Sequence, residues 1–150
     1  MPSSPAHKNA PPIEVMTELN ATAATRAREA GAHAMTDVTG FGLLGHLHEL
    51  CTASGLAARI DAHAVPTIPG AHELAADERC VAGGTRRNAE HVEDFVEWGA
   101  TVSTAERVLL TDAMTSGGLL VAVPRSTAAS LEATVIGELV AGAPGRIIVR

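Results

Sequence analysis

Tyrosine is absent from this chain of 150 residues, and the remaining aromatics are Phe41, Phe95 and Trp98. The core must therefore be assembled from Leu, Val, Ile, Met and many Ala, each of which buries modest area. Positive charge is also scarce. Eleven Lys and Arg stand against 17 Asp and Glu, for a net charge of −6. No basic stripe is visible, which argues against a nucleic-acid partner. The two cysteines, Cys51 and Cys80, form neither a CxxC nor a metal-ligand spacing. They could pair, but in a reducing compartment they read as buried thiols. No charged-then-apolar leader opens the chain, and the clearest apolar run, "GGLLVAV" (117–123), is far too short to span a bilayer. The expected setting is cytoplasmic, with no membrane partner.

What is present is ordinary for a globular domain: 46% hydrophobic and 19% charged residues. Four prolines fall in the first twelve residues, so 1–12 reads as a disordered tail and 13–150 as one domain without internal repeats. Residues 13–31 have the spacing of a single amphipathic helix ending at Gly31. A short strand is expected over 32–38. A helix over 40–55 carries Phe41, Leu44, Leu47, His48 and Cys51 on one face. Residues 56–62 alternate like a half-buried strand. A short helix is expected in "AHELAADE", then a glycine loop and a helix over 88–98. Ser103 or Thr104 suits an N-cap, with Glu106 in the first turn. Strands follow over 119–123, 133–140 (interrupted at Gly137) and "RIIVR". The sum is an α+β layer of helices on a sheet. Residues 125–132 leave little room for a helix crossing between two strands of one sheet, which needs about 10 residues.

Gly40, Gly42 and Gly45 spell G-x-G-x-x-G, and Asp61 follows roughly 20 residues on, as in a dinucleotide-binding fingerprint. Physical chemistry weighs against a dinucleotide-binding unit. Thr36, Asp37 and Thr39 crowd the turn where a pyrophosphate would sit, and a carboxylate there is repulsive unless a cation intervenes. The simpler account is that Gly40 and Gly42 make a sharp strand-to-helix turn while Gly45 lets the helix lie close on the sheet.

Four stretches are more specific together: "MTDVTGFGLLGHLHEL" (35–50), "VPTIPGAHEL" (65–74), "GGTRRN" (83–88) and "TSGGLLVAV" (115–123). In this order, with "MTELN" (16–20) and "VIGELV" (135–140), they resemble the C-terminal half of the selenophosphate synthetase (selenide, water dikinase) family. The resemblance covers about residues 11–150. It implies the C-terminal domain fold of the aminoimidazole ribonucleotide synthetase superfamily, a mostly antiparallel sheet packed by helices. It implies a reaction in which ATP, selenide and water give selenophosphate, AMP and orthophosphate, and a homodimeric complete enzyme. The family's ATP-binding N-terminal half, with its reactive Cys or selenocysteine, neighbouring Lys and most metal-binding aspartates, has no counterpart in residues 1–34. The chain is therefore expected to be a truncated product or a separately encoded half, inactive alone. The alternative is a non-catalytic binding or oligomerisation module of the same fold.

Within that resemblance Asp37 is the residue implied to bind Mg²⁺, a hard cation that bridges one or two carboxylates to phosphate oxygens. Taken without it, Asp37 reads first as a cap for the following turn. Thr36, Thr39 and Gly40 are expected to shape its loop. Arg86 and Arg87 form the densest positive pair and suit either a phosphate or solvent. Thr85 and Asn88 suit a helix cap. "TSGG" (115–118) is either an anion nest or a tight entry into the next strand. At Asp112 the family's D-P-Q-T-S-G-G becomes D-A-M-T-S-G-G, with Ala113 and Met114 in place of Pro and Gln. His46 and His48, two apart, face different sides of a helix and do not share a metal easily.

Overall fold

The computed structural model describes residues 12–150. The tail expected over 1–12 lies outside the described residues, apart from Pro12, which opens the first helix. The α+β class holds. Helix α1 (Pro12–Thr17) and helix α2 (Ala21–Glu29) precede strand β1 (Ala34–Asp37), helix α3 (Gly42–Ser54) and strand β2 (Ala57–Ile60). Helices α4 (Ala71–Ala75) and α5 (Gly83–Val92) lead to strand β3 (Val96–Trp98) and helix α6 (Thr104–Leu110). Strand β4 (Leu119–Ala122), helix α7 (Arg125–Ala128), strand β5 (Gly137–Val140) and strand β6 (Ile147–Val149) complete the chain.

The strands form two sheets. One is the antiparallel pair β1–β4, with Asp37 opposite Leu119 at its end. The other has the order β3-β6-β2-β5. Strand β5 runs antiparallel to β2, as expected, whereas β6 runs parallel to both β2 and β3, so this sheet is mixed. The division into two sheets removes the dinucleotide-binding reading. That motif needs the strand before the glycines and the strand ending at the acidic residue in one parallel sheet, yet β1 and β2 lie in different sheets. Asp61 instead accepts a hydrogen bond from the His63 backbone N–H and caps a short 3₁₀ turn.

The core lies between α3, α5 and α6 and the mixed sheet. Leu44, Leu47 and Cys51 from α3 meet Ala58 and Ile60 of β2, Val92, Phe95 and Val96, and Ile147 and Val149 of β6. Leu43, Leu44, Leu47 and Cys51 recur at helical spacing, the apolar stripe that drives α3 onto the sheet. Phe41 was expected on this face but is 64% exposed. Its side chain lies across Gly45, where a Cβ would come within 2.8 Å of the Phe41 Cβ, so Gly45 makes room for Phe41 and not for the sheet. Gly55 closes α3 in the left-handed conformation.

Three elements depart from the sequence expectations. The single helix over 13–31 is two helices, broken at 18–20. Helix α5 begins at Gly83, five residues before the expected start, and 96–98 is a strand instead of its last turn. Strand β5 starts at Gly137 and is not interrupted there. The short link of α7 and one 3₁₀ turn between β4 and β5 is sufficient because these strands sit in separate sheets, so no crossover is required. Cys51 is fully buried and its thiol pKa is raised by that burial, whereas Cys80 is exposed; both are free.

Candidate functional site

Asp37 ends β1 with its side chain exposed. Its Oδ1 accepts a hydrogen bond from Asn20 Nδ2 at 2.7 Å, and the same amide donates to the Gly117 carbonyl at 3.1 Å. The chain after Asp37 is held from several sides. The Val38 N–H donates to the Gly118 carbonyl, and the Met114 N–H to the Thr39 carbonyl. Asn88 Nδ2 donates to the Gly40 carbonyl at 2.9 Å and the Thr111 carbonyl at 3.0 Å. Thr39 Oγ1 and His46 Nε2 are 3.0 Å apart. Ser116 Oγ donates to the Met16 carbonyl at 2.7 Å, tying α1 to the same place.

Two glycines make this crossing possible. Gly42 has φ +69°, a left-handed conformation, and a Cβ there would meet Thr111 C at 2.7 Å. At Gly117 a Cβ would come within 2.3 Å of the Val38 carbonyl oxygen. Gly40, the first glycine of the fingerprint, has neither constraint.

The stretches 16–20, 35–42, 85–88 and 111–118 thus converge on one spot. Thr85 and Asn88 do not cap a helix. Thr85 is 1% exposed; its Oγ1 donates to Asp112 Oδ1 at 2.6 Å and accepts from the Ala113 N–H at 3.2 Å. This part-buried pair fixes the loop in which Ala113 and Met114 stand, so Asp112 is a structural anchor. The histidines divide as their spacing implies. His46 faces Thr39, while His48 stacks on Phe95 with centroids 3.8 Å apart and its Nδ1 lies 2.9 Å from the Gly145 carbonyl. Arg86 donates to the Glu78 carbonyl, and the Arg87 guanidinium folds back beside Gly83. "VPTIPGAHEL" and "VIGELV" lie elsewhere: the former leads through α4, which packs on α6, and the latter forms β5.

Asn20 and Asn88 were not singled out from sequence as site-forming residues. The available signal was Asn20 at the end of "MTELN", where the helical pattern ran on without a visible break.

Two open cavities among the described residues lie near these elements, and neither is lined by Asp37. One of about 240 Å³ lies between β1 and α3, beside Thr36, His46 and Glu49; the other, about 300 Å³, lies between Arg26, Glu29 and Glu132. Among the described residues, no group of three or more His, Cys, Asp or Glu is placed to hold a metal ion. Asp37 offers one hard oxygen ligand, exposed and aimed outward. This suits a cation whose remaining ligands are water, phosphate or groups from another segment.

The family model described as "AIR synthase related protein, C-terminal domain" matches residues 6–150. The proteins named "Selenide, water dikinase" from Escherichia coli strain K12, Escherichia coli O157:H7 and Shigella flexneri are each 44% identical over 148 residues. The match takes in 91% of this chain and 41% of each relative, so the chain spans less than half the length of those proteins. With a match over nearly its whole length, the chain belongs to the family of C-terminal domains of AIR synthase related proteins.

Proposed function

We propose that this chain is the C-terminal portion of an ATP-dependent selenide, water dikinase, that it walls one side of the ATP cleft, and that Asp37 is a Mg²⁺ ligand there. The observation that carries this is the exposure of Asp37 where four separate stretches of chain are locked together, in a chain 44% identical to proteins of that name. A rigid backbone with one outward carboxylate is what a shared metal site demands of one of its walls. The rest of the site, including the reactive cysteine or selenocysteine, is supplied from outside residues 1–150, and the chain alone is inactive. Exposed Met16, Leu19 and Phe41 border the Asp37 region, an apolar surface suited to contact with that partner segment.

Bound Mg²⁺ would neutralise phosphate charge during transfer, which is the main requirement of phosphoryl chemistry. This chain's own contribution is to hold a carboxylate in place. Asn20 fixes one of its oxygens, the Gly118 carbonyl anchors the Val38 N–H, and Asn88 and Met114 secure the turn beyond. No residue here is assigned an acid or base role.

The test is reconstitution. The chain is mixed with a separately expressed ATP-binding half of a selenide, water dikinase, and selenophosphate is followed by ³¹P NMR. Neither part alone should turn over, and the mixture should. Asp37→Asn in the mixture should lose at least about a hundredfold of Mg²⁺-dependent turnover, equivalent to about 2.7 kcal/mol of charge stabilisation. Undiminished turnover by Asp37→Asn would remove the metal role. A folded complex without turnover would favour a non-catalytic module.

A further inference from the structure

We propose that the groove between the outer edge of β1 and helix α3 takes up an extended polypeptide segment as a further strand beside β1, and that this segment belongs to the portion of the enzyme outside residues 1–150. The source of the segment rests on the function proposed above.

Three observations carry the docking site. First, one edge of β1 has no partner strand. The Val38 N–H donates to the Gly118 carbonyl, in the antiparallel register that sets Thr36 opposite Leu120 and Ala34 opposite Ala122. Backbone groups alternate sides along a strand, so Ala34 and Thr36 turn theirs toward β4 while Met35 and Asp37 turn theirs away. Among the described residues β1 pairs with β4 alone, which leaves the Met35 N–H and C=O and the Asp37 N–H facing a side without a strand. Second, the cavity of about 240 Å³ runs along that edge, since Ala34, Met35 and Thr36 line it in succession. Side chains of consecutive strand residues point to opposite faces, so three in a row meet one cavity only at the strand's edge. Third, the opposite wall is a single stripe of α3. His46, Glu49, Leu50 and Ala53 form it at i, i+3, i+4 and i+7, a different face from the one buried against the mixed sheet. An unpaired strand edge facing a helix across a groove is the geometry of strand addition, in which backbone hydrogen bonds hold the incoming segment and alternate side chains meet the walls.

The occupant follows from size, chain length and continuity. The groove is open and smaller than the roughly 300–1,000 Å³ of pockets that enclose small molecules, which suits a chain passing along it. The chain takes in 41% of each selenide, water dikinase compared above, so more than half of such a protein is polypeptide outside it. Asp37, exposed at the end of the same edge, is the residue proposed to meet that polypeptide, and a segment that reaches Asp37 along β1 also passes Met35. Exposed carboxylates on Asp37 and on Glu49 of the facing wall favour a segment that carries Lys or Arg.

The test uses the full chain, ¹⁵N-labelled, with and without an unlabelled ATP-binding half of a selenide, water dikinase. Amide hydrogen exchange is read residue by residue. In the chain alone, Met35 and Asp37 should exchange faster than Thr36 and Val38. In the complex, Met35 and Asp37 should slow by at least about tenfold, the effect of one added hydrogen bond in a packed strand. Met35→Pro removes the outward N–H without touching the β1–β4 ladder. It should retain the amide pattern of β4 and α3 yet weaken association roughly tenfold, whereas Met35→Leu, which keeps the donor, should associate as the wild type does. The exchange comparison stands on the wild-type chain, so it decides the matter even if Met35→Pro fails to fold. A complex in which Met35 and Asp37 exchange as freely as before would overturn this inference alone, and Asp37→Asn turnover would still judge the metal role. Failure of the two parts to associate would overturn the choice of occupant together with the function proposed above. Protection of Met35 that rises with the concentration of the chain alone would identify a second copy as the occupant and overturn the assignment to the missing portion.

Discussion

At Gly117 a methyl group has no space, and at its neighbour Gly118 it has. A Cβ at Gly117 falls within 2.3 Å of the Val38 carbonyl oxygen, whereas nothing lies within 4 Å of one at Gly118. The contact is with backbone, so relief requires moving the strand end that carries Asp37. Gly117→Ala should therefore lower the unfolding free energy by about 1–3 kcal/mol, as overpacking does. Gly118→Ala should stay within about 0.5 kcal/mol of wild type. Urea denaturation of the two variants checks this, and equal effects would contradict it. The same pair shows what single residues disclose in advance. "TSGG" is legible as a tight entry into a strand, but which glycine is indispensable depends on Val38, nearly 80 positions away in sequence. Cys51 could be placed on the apolar face from its spacing alone. Asn20 could not be placed at Asp37, because an amide's partner is set by the fold and not by its neighbours.

Among the elements, α6 is the one whose start is written locally. Ser103 and Glu106 form a reciprocal capping box: the Ser103 N–H and Oγ both bond Glu106 Oε2, and the Glu106 N–H donates to Ser103 Oγ. Glu106 is nonetheless 7% exposed, with His63 Nδ1 2.6 Å from its Oε1. The Ser103 hydroxyl, then the Ser103 backbone N–H, hold the Glu106 carboxyl below the ordinary glutamate range, with smaller help from His63 and His72 against the cost of burial. A depressed folded pKa means the stabilisation is complete above the unfolded value of about 4.3 and is lost as pH falls through the lower folded value. Ser103→Ala should cost about 1 kcal/mol near neutrality, and its gap from wild type should narrow as pH drops below about 4. Urea midpoints from pH 7 to pH 3 measure this; a gap independent of pH would contradict it. The elements misread from sequence fail for an opposite reason, because their boundaries are imposed from afar. The break between α1 and α2 falls where Asn20 turns to Asp37 and Gly117 and where Ser116 bonds Met16. Helix α5 opens at a Gly-Gly pair that reads as loop, and its Thr85 and Asn88 are held by Asp112, Gly40 and Thr111.

At the scale of the whole molecule, the α+β class was legible from the alternation of apolar runs and helical spacings, but the partition of strands between two sheets was not. Short strands of three or four residues carry no partner information in their composition. That partition bears on the proposed site. It separates β1 from β2, which removes the dinucleotide fingerprint, and it leaves Asp37 at the free end of a two-stranded ribbon where another segment can reach it. The proposed role of this carboxylate is to complete a cation site shared with nucleotide and with groups beyond this chain. The most direct measurement is a crystal structure of the chain in complex with an ATP-binding half, Mn²⁺ and a non-hydrolysable ATP analogue, with the metal located by its anomalous signal. The predicted result is a peak at coordination distance, about 2 Å, from an Asp37 carboxylate oxygen, with phosphate oxygens in the same shell. A nucleotide-bound metal with Asp37 turned away and hydrogen-bonded only to protein or water would contradict it.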